Sequence, residues 1–136
     1  MNLHLLTQYS QYYKQMPRIL LPNWDVNDGS KFLLILDIDE TMMHALDERD
    51  GPSMRFQHTI DIPHETIEDQ TEQIHINLRP HLLESLHELA GKFYITSYTA
   101  SEQTYADAVL DFIEHQYLKK YPCSQTRTLF PTRLYR

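Results

Sequence analysis

Cysteine is almost absent from this chain: Cys123 stands alone among 136 residues. A single cysteine permits neither an internal disulfide nor a cysteine-cluster zinc site, and it suits an intracellular compartment. Long apolar runs are missing too. The longest reach about five residues, far below the ~20 that cross a bilayer, and the N-terminus lacks the basic region and apolar core of a secretory signal. Acids are absent from both ends: all 19 lie between Asp25 and Glu114, against five basic residues in the same stretch. Such a body has no basic face of the kind nucleic-acid binding needs. Residues 115–136 carry five basic residues and no acid, which balances the acidic body. No repeat or low-complexity tract interrupts the chain. What remains, 41% hydrophobic and 23% charged, is one globular domain long enough for a core.

The chain is organised around Phe32-Leu33-Leu34-Ile35-Leu36-Asp37-Ile38-Asp39-Glu40-Thr41. Five apolar residues after Asp28-Gly29 read as a buried central strand of an α/β sheet. Sheets of this class react with ligands beyond the carboxyl ends of their strands. Asp37 and Asp39 fall there, and the period of two sends both the same way.

Upstream, Leu3, Leu6, Tyr9, Tyr13 and Met16 predict a short amphipathic helix ended by Pro17, and residues 18–24 an extended arm. Downstream of a polar turn at 47–52, Met54, Phe56, His58, Ile60 and Ile62 alternate with polar neighbours, and so do Ile74, Ile76 and Leu78. These predict an antiparallel pair joined by an acidic loop, an insertion suited to act as a flap. Pro80 opens the next helix, with Leu82, Leu83, Leu86, Leu89 and Ala90 as its apolar stripe and Gly91 as its end. Lys92–Tyr98 predicts a second strand. Ser101 caps a second helix whose inner face is Tyr105, Ala108, Val109, Phe112 and Ile113. Thr128–Tyr135, broken by Pro131, predicts a last strand. The order is that of a doubly wound α/β fold.

Two carboxylates at one strand end can divide the work of phosphoryl transfer. Asp37 attacks phosphorus and forms an aspartyl-phosphate; Asp39 protonates the leaving oxygen, then activates water. A carboxylate ~3 Å from a phosphate dianion meets ~11 kcal/mol of repulsion at an effective dielectric of ~20. That penalty calls for Mg²⁺ between them. Thr41, the turn's backbone N–H groups and Thr99 are placed to hold phosphate oxygens. The eight histidines offer no ligand-spaced pair; His81 and His87, for example, are six apart. Cys123 has no paired base in its Tyr-Pro-Cys-Ser loop, and Arg79 reads as a structural salt-bridge partner.

Asp37-Ile38-Asp39-Glu40-Thr41-Met42-Met43-His44 resembles the D-L-D-E-T-L-V-H opening of the NLI-interacting-factor-like phosphatases, the RNA polymerase II C-terminal-domain phosphatases of the haloacid dehalogenase superfamily. Leu78-Arg79-Pro80, Tyr98-Thr99-Ala100, Tyr105-Ala106-Asp107 and Arg133-Leu134-Tyr135-Arg136 resemble its L-R-P, F-T-A, Y-A-D and R-L-Y-R motifs in the same order. The resemblance implies a haloacid-dehalogenase-like domain over 25–136, preceded by the helix and arm of 1–24 and carrying a flap at about 47–78. It implies Asp37 as nucleophile, Asp39 as general acid/base, and Thr41 and Thr99 as phosphate contacts. Mg²⁺ would be held by the Asp37 carboxylate and the Asp39 carbonyl. Substrates would be phosphoserine proteins, notably the polymerase repeats, in the nucleus. Family members continue past R-L-Y-R to a lysine and an Asp-Asp pair; this sequence stops at Arg136. The reading is therefore of a phosphatase domain cut short after its third strand, needing a partner chain or a further segment to complete the sheet. Alone it is expected to be nearly inactive, poorly soluble, and to expose the Phe32–Leu36 strand as an apolar edge. The alternatives are a non-catalytic binding or assembly module on the same fold, and dephosphorylation of small molecules.

Overall fold

The computed structural model describes residues 31–136 apart from 48, 49, 52, 65, 66, 68, 69 and 127. The helix expected over 3–16 and the arm at 18–24 lie outside the described residues, as do Glu65, Glu68 and Asp69 of the acidic loop. In chain order the elements are β1 (Phe32–Leu36), β2 (Met43–Ala45), β3 (His58–Pro63), β4 (Thr71–Leu78), α1 (Leu82–Lys92), β5 (Phe93–Thr99), α2 (Gln103–Lys120) and β6 (Thr132–Tyr135).

The architecture is α/β with a parallel sheet, as the sequence predicts. The sheet runs β1-β5-β6, with Leu34 opposite Ile95 and Tyr98 opposite Leu134. The two alternating runs form the expected antiparallel pair, β3 with β4, Ile60 opposite Ile74. A three-residue strand that the sequence did not announce, β2, joins the other side of β4 through Met43 and Leu78. It carries the chain from the acidic turn directly into the second sheet. Ile38, Met42, Met43, Ile60 and Ile76 from that region share one core with Leu86, Ile95, Val109, Ile113 and Phe130. The apolar face of the hairpin is therefore buried against the helix layer, and the two sheets are held together by it.

Three expectations are corrected, the first only in part. Among the described residues β1 is not the buried central strand that its apolar run predicts but the exposed apolar edge that the shortened-domain reading expects: it pairs only with β5, and Phe32 and Ile35 are 77% and 53% exposed. An all-apolar run cannot distinguish a strand flanked on both sides from one flanked on one. Helix α1 starts at Leu82, not Pro80. His81 precedes it at φ 61°, and Arg79 O accepts the Leu82 amide at 3.1 Å. Gly91 does not end α1. The helix continues to Lys92 and Phe93 turns straight into the extended conformation of β5, so no left-handed cap is needed.

Gly91 thus spends backbone entropy in a helical turn without using its freedom. A Cβ there meets nothing within 4 Å. Gly91→Ala is expected to stabilise the chain by about 0.5 kcal/mol, read as a higher urea midpoint at unchanged m-value.

Helix α2 buries a wider arc than its predicted inner face. Ala106, Val109, Leu110, Ile113 and Tyr117 are buried, and Tyr105, Ala108 and Phe112 pack around them. The helix meets both α1 and β3, so it needs two apolar faces rather than one. Phe112, for instance, lies against the His58 ring at 5.0 Å between centroids.

Candidate active site

The turn after β1 is wound about one carbonyl. Ile38 O accepts the amides of Thr41, Met42 and Met43 at 3.3, 2.9 and 3.3 Å, and Glu40 N donates to Met43 O at 2.8 Å. Glu40 makes this possible by adopting φ 59°, a left-handed conformation that costs a non-glycine residue about 1–2 kcal/mol. These amides already have acceptors inside the turn. The expectation that they would line up as phosphate donors is therefore not met.

Arg79 holds the turn from the next sheet. Its Nε donates to Thr41 O at 2.5 Å, its guanidinium Nη2 to Glu40 O at 2.7 Å, and its own amide to Met42 O at 2.9 Å. Sequence reasoning gave Arg79 a carboxylate partner. Its fork instead satisfies carbonyls that the tight winding leaves pointing outward, which explains why Arg79 stands just past β4, the strand that pairs with β2.

Asp37 leaves β1 exposed, with Oδ1 accepting the Ile38 amide at 2.7 Å. Its other oxygen has no partner among the described residues. Asp39 is half-buried and held at both oxygens: Ser101 Oγ donates to Oδ2 at 2.6 Å and Tyr105 Oη to Oδ1 at 2.6 Å. Sequence reasoning missed both donors. Ser101 was expected to cap α2, but the residue at the N-cap is Glu102 and no side chain caps that end. Ser101 had the position and the hydroxyl for either task, and only the approach of Asp39 across 62 residues decides between them. Tyr105 was read as core. Burial first, then the hydrogen bond to Asp39 and the charges of Asp39 and Glu40, push its phenol far above the ordinary value. It therefore remains a donor across the working pH range.

Thr41 is exposed, and its hydroxyl has no partner among the described residues. Thr99 is only 2% exposed, and its Oγ1 accepts the Ser101 amide at 3.1 Å. The structure thus brings Asp39, Thr99 and Ser101 into one cluster at the carboxyl ends of β1 and β5, with Asp37 and Thr41 on its solvent side. The donors that the family resemblance names for a metal, the Asp37 carboxylate and the Asp39 backbone carbonyl, are all oxygens. That chemistry fits a hard divalent cation, which keeps several waters and uses one or two carboxylates. No group of three or more histidine, cysteine or acidic residues could hold a metal among the described residues.

On the outer side of the turn, His44 bridges two carboxylates, Nδ1 to Glu40 Oε1 at 2.6 Å and Nε2 to Asp50 Oδ1 at 3.0 Å. The hydrogen bond to Glu40, then that to Asp50, raise the His44 pKa above its ordinary 6.5. Protonated His44 is thus favoured by folding. The clamp is complete below pH 6.5 and is lost as pH rises through the raised folded value. Amide exchange at 44–47 and at 50 is expected to speed up, beyond its intrinsic pH dependence, across that window. The change should vanish in His44→Gln.

The profile of the NLI interacting factor-like phosphatase family matches residues 32–132. The chain belongs to that family. A human relative, carboxy-terminal domain RNA polymerase II polypeptide A small phosphatase 1, is 33% identical over 104 residues, covering 74% of this chain and 37% of the relative. Phosphatase PSR1 of Saccharomyces cerevisiae is 31% identical over 110 residues, covering 80% of this chain and 24% of that protein. Among solved structures, the fission yeast RNA polymerase II CTD phosphatase Fcp1 bound to beryllium fluoride shares the fold. Its TM-score is 0.57 at 19% identity, over 93% of this chain and 32% of that one. The chain therefore spans about a quarter to a third of the length of these relatives.

Two of the family-like motifs meet in space. Asp107 of Tyr105-Ala106-Asp107 accepts Arg133 Nη1 at 2.9 Å and Tyr135 Oη at 2.5 Å, both from Arg133-Leu134-Tyr135-Arg136. Those motifs lock β6 onto α2, while Tyr105 faces the other way and holds Asp39. Within the family pattern, one helical turn thus serves the site and the sheet together. No helix among the described residues is long and apolar enough to cross a membrane.

Proposed function

We propose that the chain carries the nucleophilic site of a Mg²⁺-dependent protein serine/threonine phosphatase that works through phospho-Asp37. The observation that carries this reading is the unequal setting of the two carboxylates. Asp37 is exposed with one oxygen free, while Asp39 is fixed by Ser101 and Tyr105. A nucleophile has to be accessible and a proton carrier has to be held in position.

Asp37 attacks phosphorus as the bond to the serine oxygen breaks, and Asp39 gives its proton to that oxygen. Asp39 then takes a proton from water. The water oxygen bonds to phosphorus, the bond to Asp37 breaks, and phosphate leaves. Each Asp39 oxygen uses one lone pair for its fixed donor and retains another for the travelling proton. Thr41 contacts a phosphoryl oxygen through its exposed hydroxyl, and Thr99 does so through its remaining O–H. A Mg²⁺ on Asp37 and the Asp39 carbonyl supplies charge neutralisation when bound.

Phosphorylated polymerase repeats are the proposed substrate, since relatives are named for them, and a nuclear location follows from that substrate. The β3–β4 pair is proposed as the flap, and the open side of β1 as the place where a partner chain or further segment extends the sheet.

The test is to trap the intermediate. With an aryl phosphate and Mg²⁺, Asp39→Asn should retain a reactive Asp37 and lose the group that activates water. An acyl phosphate should then accumulate on the Asp37 peptide, visible as an added phosphoryl mass that hydroxylamine removes. Absence of any adduct, together with no turnover by the wild type, would favour the non-catalytic binding module. Tyr105→Phe deletes one of two donors to Asp39 and is expected to lower kcat about tenfold with little change in KM. Steady-state kinetics on the aryl phosphate measure this.

A further inference from the structure

The acidic turn is tethered at its strained residue from two sides. Glu40, at φ 59°, stands between Asp39, the proposed proton carrier, and Thr41, the proposed phosphate contact. Arg79 Nη2 donates to the Glu40 carbonyl at 2.7 Å, and His44 Nδ1 meets the Glu40 carboxylate at 2.6 Å. A left-handed conformation persists in a non-glycine residue only where its surroundings enforce it. The guanidinium is charged at every working pH, so its hold is permanent. The imidazole's hold is not. His44 itself acts from a fixed base. Its backbone lies in β2 opposite Asn77 of β4, and just beyond it the Leu46 amide donates to His75 O at 2.8 Å. Its Nε2 meets Asp50 Oδ1 at 3.0 Å, while the other oxygen of Asp50 accepts the Asp47 amide at 2.7 Å. The ring therefore joins a carboxylate fixed in the 47–50 turn to the one on the catalytic turn. The Glu40 side chain is 75% exposed, so water rather than packing replaces that tether when it is lost.

The bridge needs a proton. A neutral imidazole carries one N–H, and its other nitrogen presents a lone pair. With a carboxylate at each nitrogen, only the imidazolium donates to both. The charged groups around the ring are Glu40 and Asp50, with Asp47 beyond Asp50 and Arg79 across the cleft that His44 lines; Asn77, on the facing strand, is uncharged. We propose that His44 is a positioning residue for the phosphatase reaction: its bridge to Asp50 fixes Glu40, and through Glu40 the placing of Asp39 and Thr41, so that turnover falls when the bridge opens. This rests on the phosphatase reading and adds to it a residue that touches neither substrate nor metal. The two carboxylates, Glu40 first, hold the ring's pKa above its ordinary 6.5. The bridge is thus complete below pH 6.5 and opens as pH rises through the raised value.

The experiment measures kcat and KM for an aryl phosphate with Mg²⁺ between about pH 5.5 and about pH 8.5, using the full chain as wild type, His44→Gln and His44→Arg. Titration of Asp39 and of the substrate phosphate is common to all three and cancels in their ratios. The wild type should exceed His44→Gln about three- to tenfold in kcat at the acid end, with little change in KM, and the ratio should fall to about one at the alkaline end. His44→Arg keeps a cation with donors for both carboxylates at every pH, so its ratio to His44→Gln should stay above one throughout. A purely structural role would give ratios that do not move with pH. A constant ratio of wild type to His44→Gln, a wild type and His44→Arg that track each other across the range, or a change carried by KM alone overturns the proposal. Backbone amide resonances of residues 40–43, followed by NMR, separate this outcome from the fate of the phosphatase reading. They should shift with the His44 ring in the wild type and stay still over the same window in His44→Gln. If nothing is turned over but these amides follow the ring, the positioning stands and the phosphatase reading fails. If they do not follow it, the proposal fails whatever the turnover.

Discussion

Asp37→Asn is expected to lower kcat for aryl phosphate hydrolysis by about three orders of magnitude or more, with a much smaller change in KM. The substitution is nearly isosteric. The Asn side-chain oxygen can still accept the Ile38 amide that Asp37 Oδ1 accepts at 2.7 Å, so the turn around Ile38 O should persist and circular dichroism should be unchanged. What is lost is the nucleophilic lone pair and the negative charge. In the proposed mechanism Thr41 and Thr99 contact the phosphoryl oxygens, so the effect is expected to fall on the chemical step. Equal turnover by wild type and variant would remove the covalent mechanism from consideration. A weaker result, such as a tenfold loss, would point to Asp37 as an electrostatic helper rather than the attacking group.

Arg133→Ala is expected to cost about 2 kcal/mol of stability and to lower the melting temperature by about 8 °C. The guanidinium is mostly buried and reaches Asp107 at 2.9 Å, Asp111 at 2.6 Å and Glu114 at 3.5 Å. Removing it leaves Asp107 and Glu114, both partly buried, without their cation. The figure stays below that of a fully buried pair because Asp111 is largely exposed and water screens it. The network also has a signature in acid. Burial pushes the Asp107 carboxyl up, but the hydrogen bonds from Tyr135 and Arg133 outweigh it and hold the group below the ordinary carboxylate value. Its contribution is therefore complete above about pH 4, the unfolded value, and disappears as pH falls through the lower folded one. Tyr135 remains a donor throughout, since burial and the same hydrogen bond raise its phenol to about 12. Urea melts from pH 7 to pH 2 should show wild type and Arg133→Ala converging at the acid end. A constant gap would mean that Arg133 acts by packing alone.

The two predictions separate what the acidic turn does from what frames it, and the sequence reached them unequally. Asp37 and Asp39 were legible because a strand of five apolar residues ends on them, and chemistry at strand ends is a general property of α/β sheets. Asp107 and Arg133 were visible only as fragments of two motifs 26 residues apart in the chain. Their meeting depends on β6 lying beside β5. Ser101 illustrates the opposite error. Its place before a helix fitted a local rule, the N-cap, and the tertiary contact to Asp39 took precedence. A hydroxyl gains more from a half-buried carboxylate than from a solvent-facing helix end, because the carboxylate has less water to replace the bond.

Local pattern alone determined the order of the described elements other than β2, the alternating hairpin, the pairing of a strand end with two carboxylates and the membership of a phosphatase family. These follow from periodicity and short motifs, which act over a few residues. The tertiary structure alone decided that Arg79 serves carbonyls rather than carboxylates. It also decided that Tyr105, which the helical spacing places in the core, gives its hydroxyl to Asp39. Each of these turns on which distant element arrives, and at what register. A one-dimensional pattern carries the preference of a residue for burial or a hydrogen bond, but not the identity of the neighbour that satisfies it.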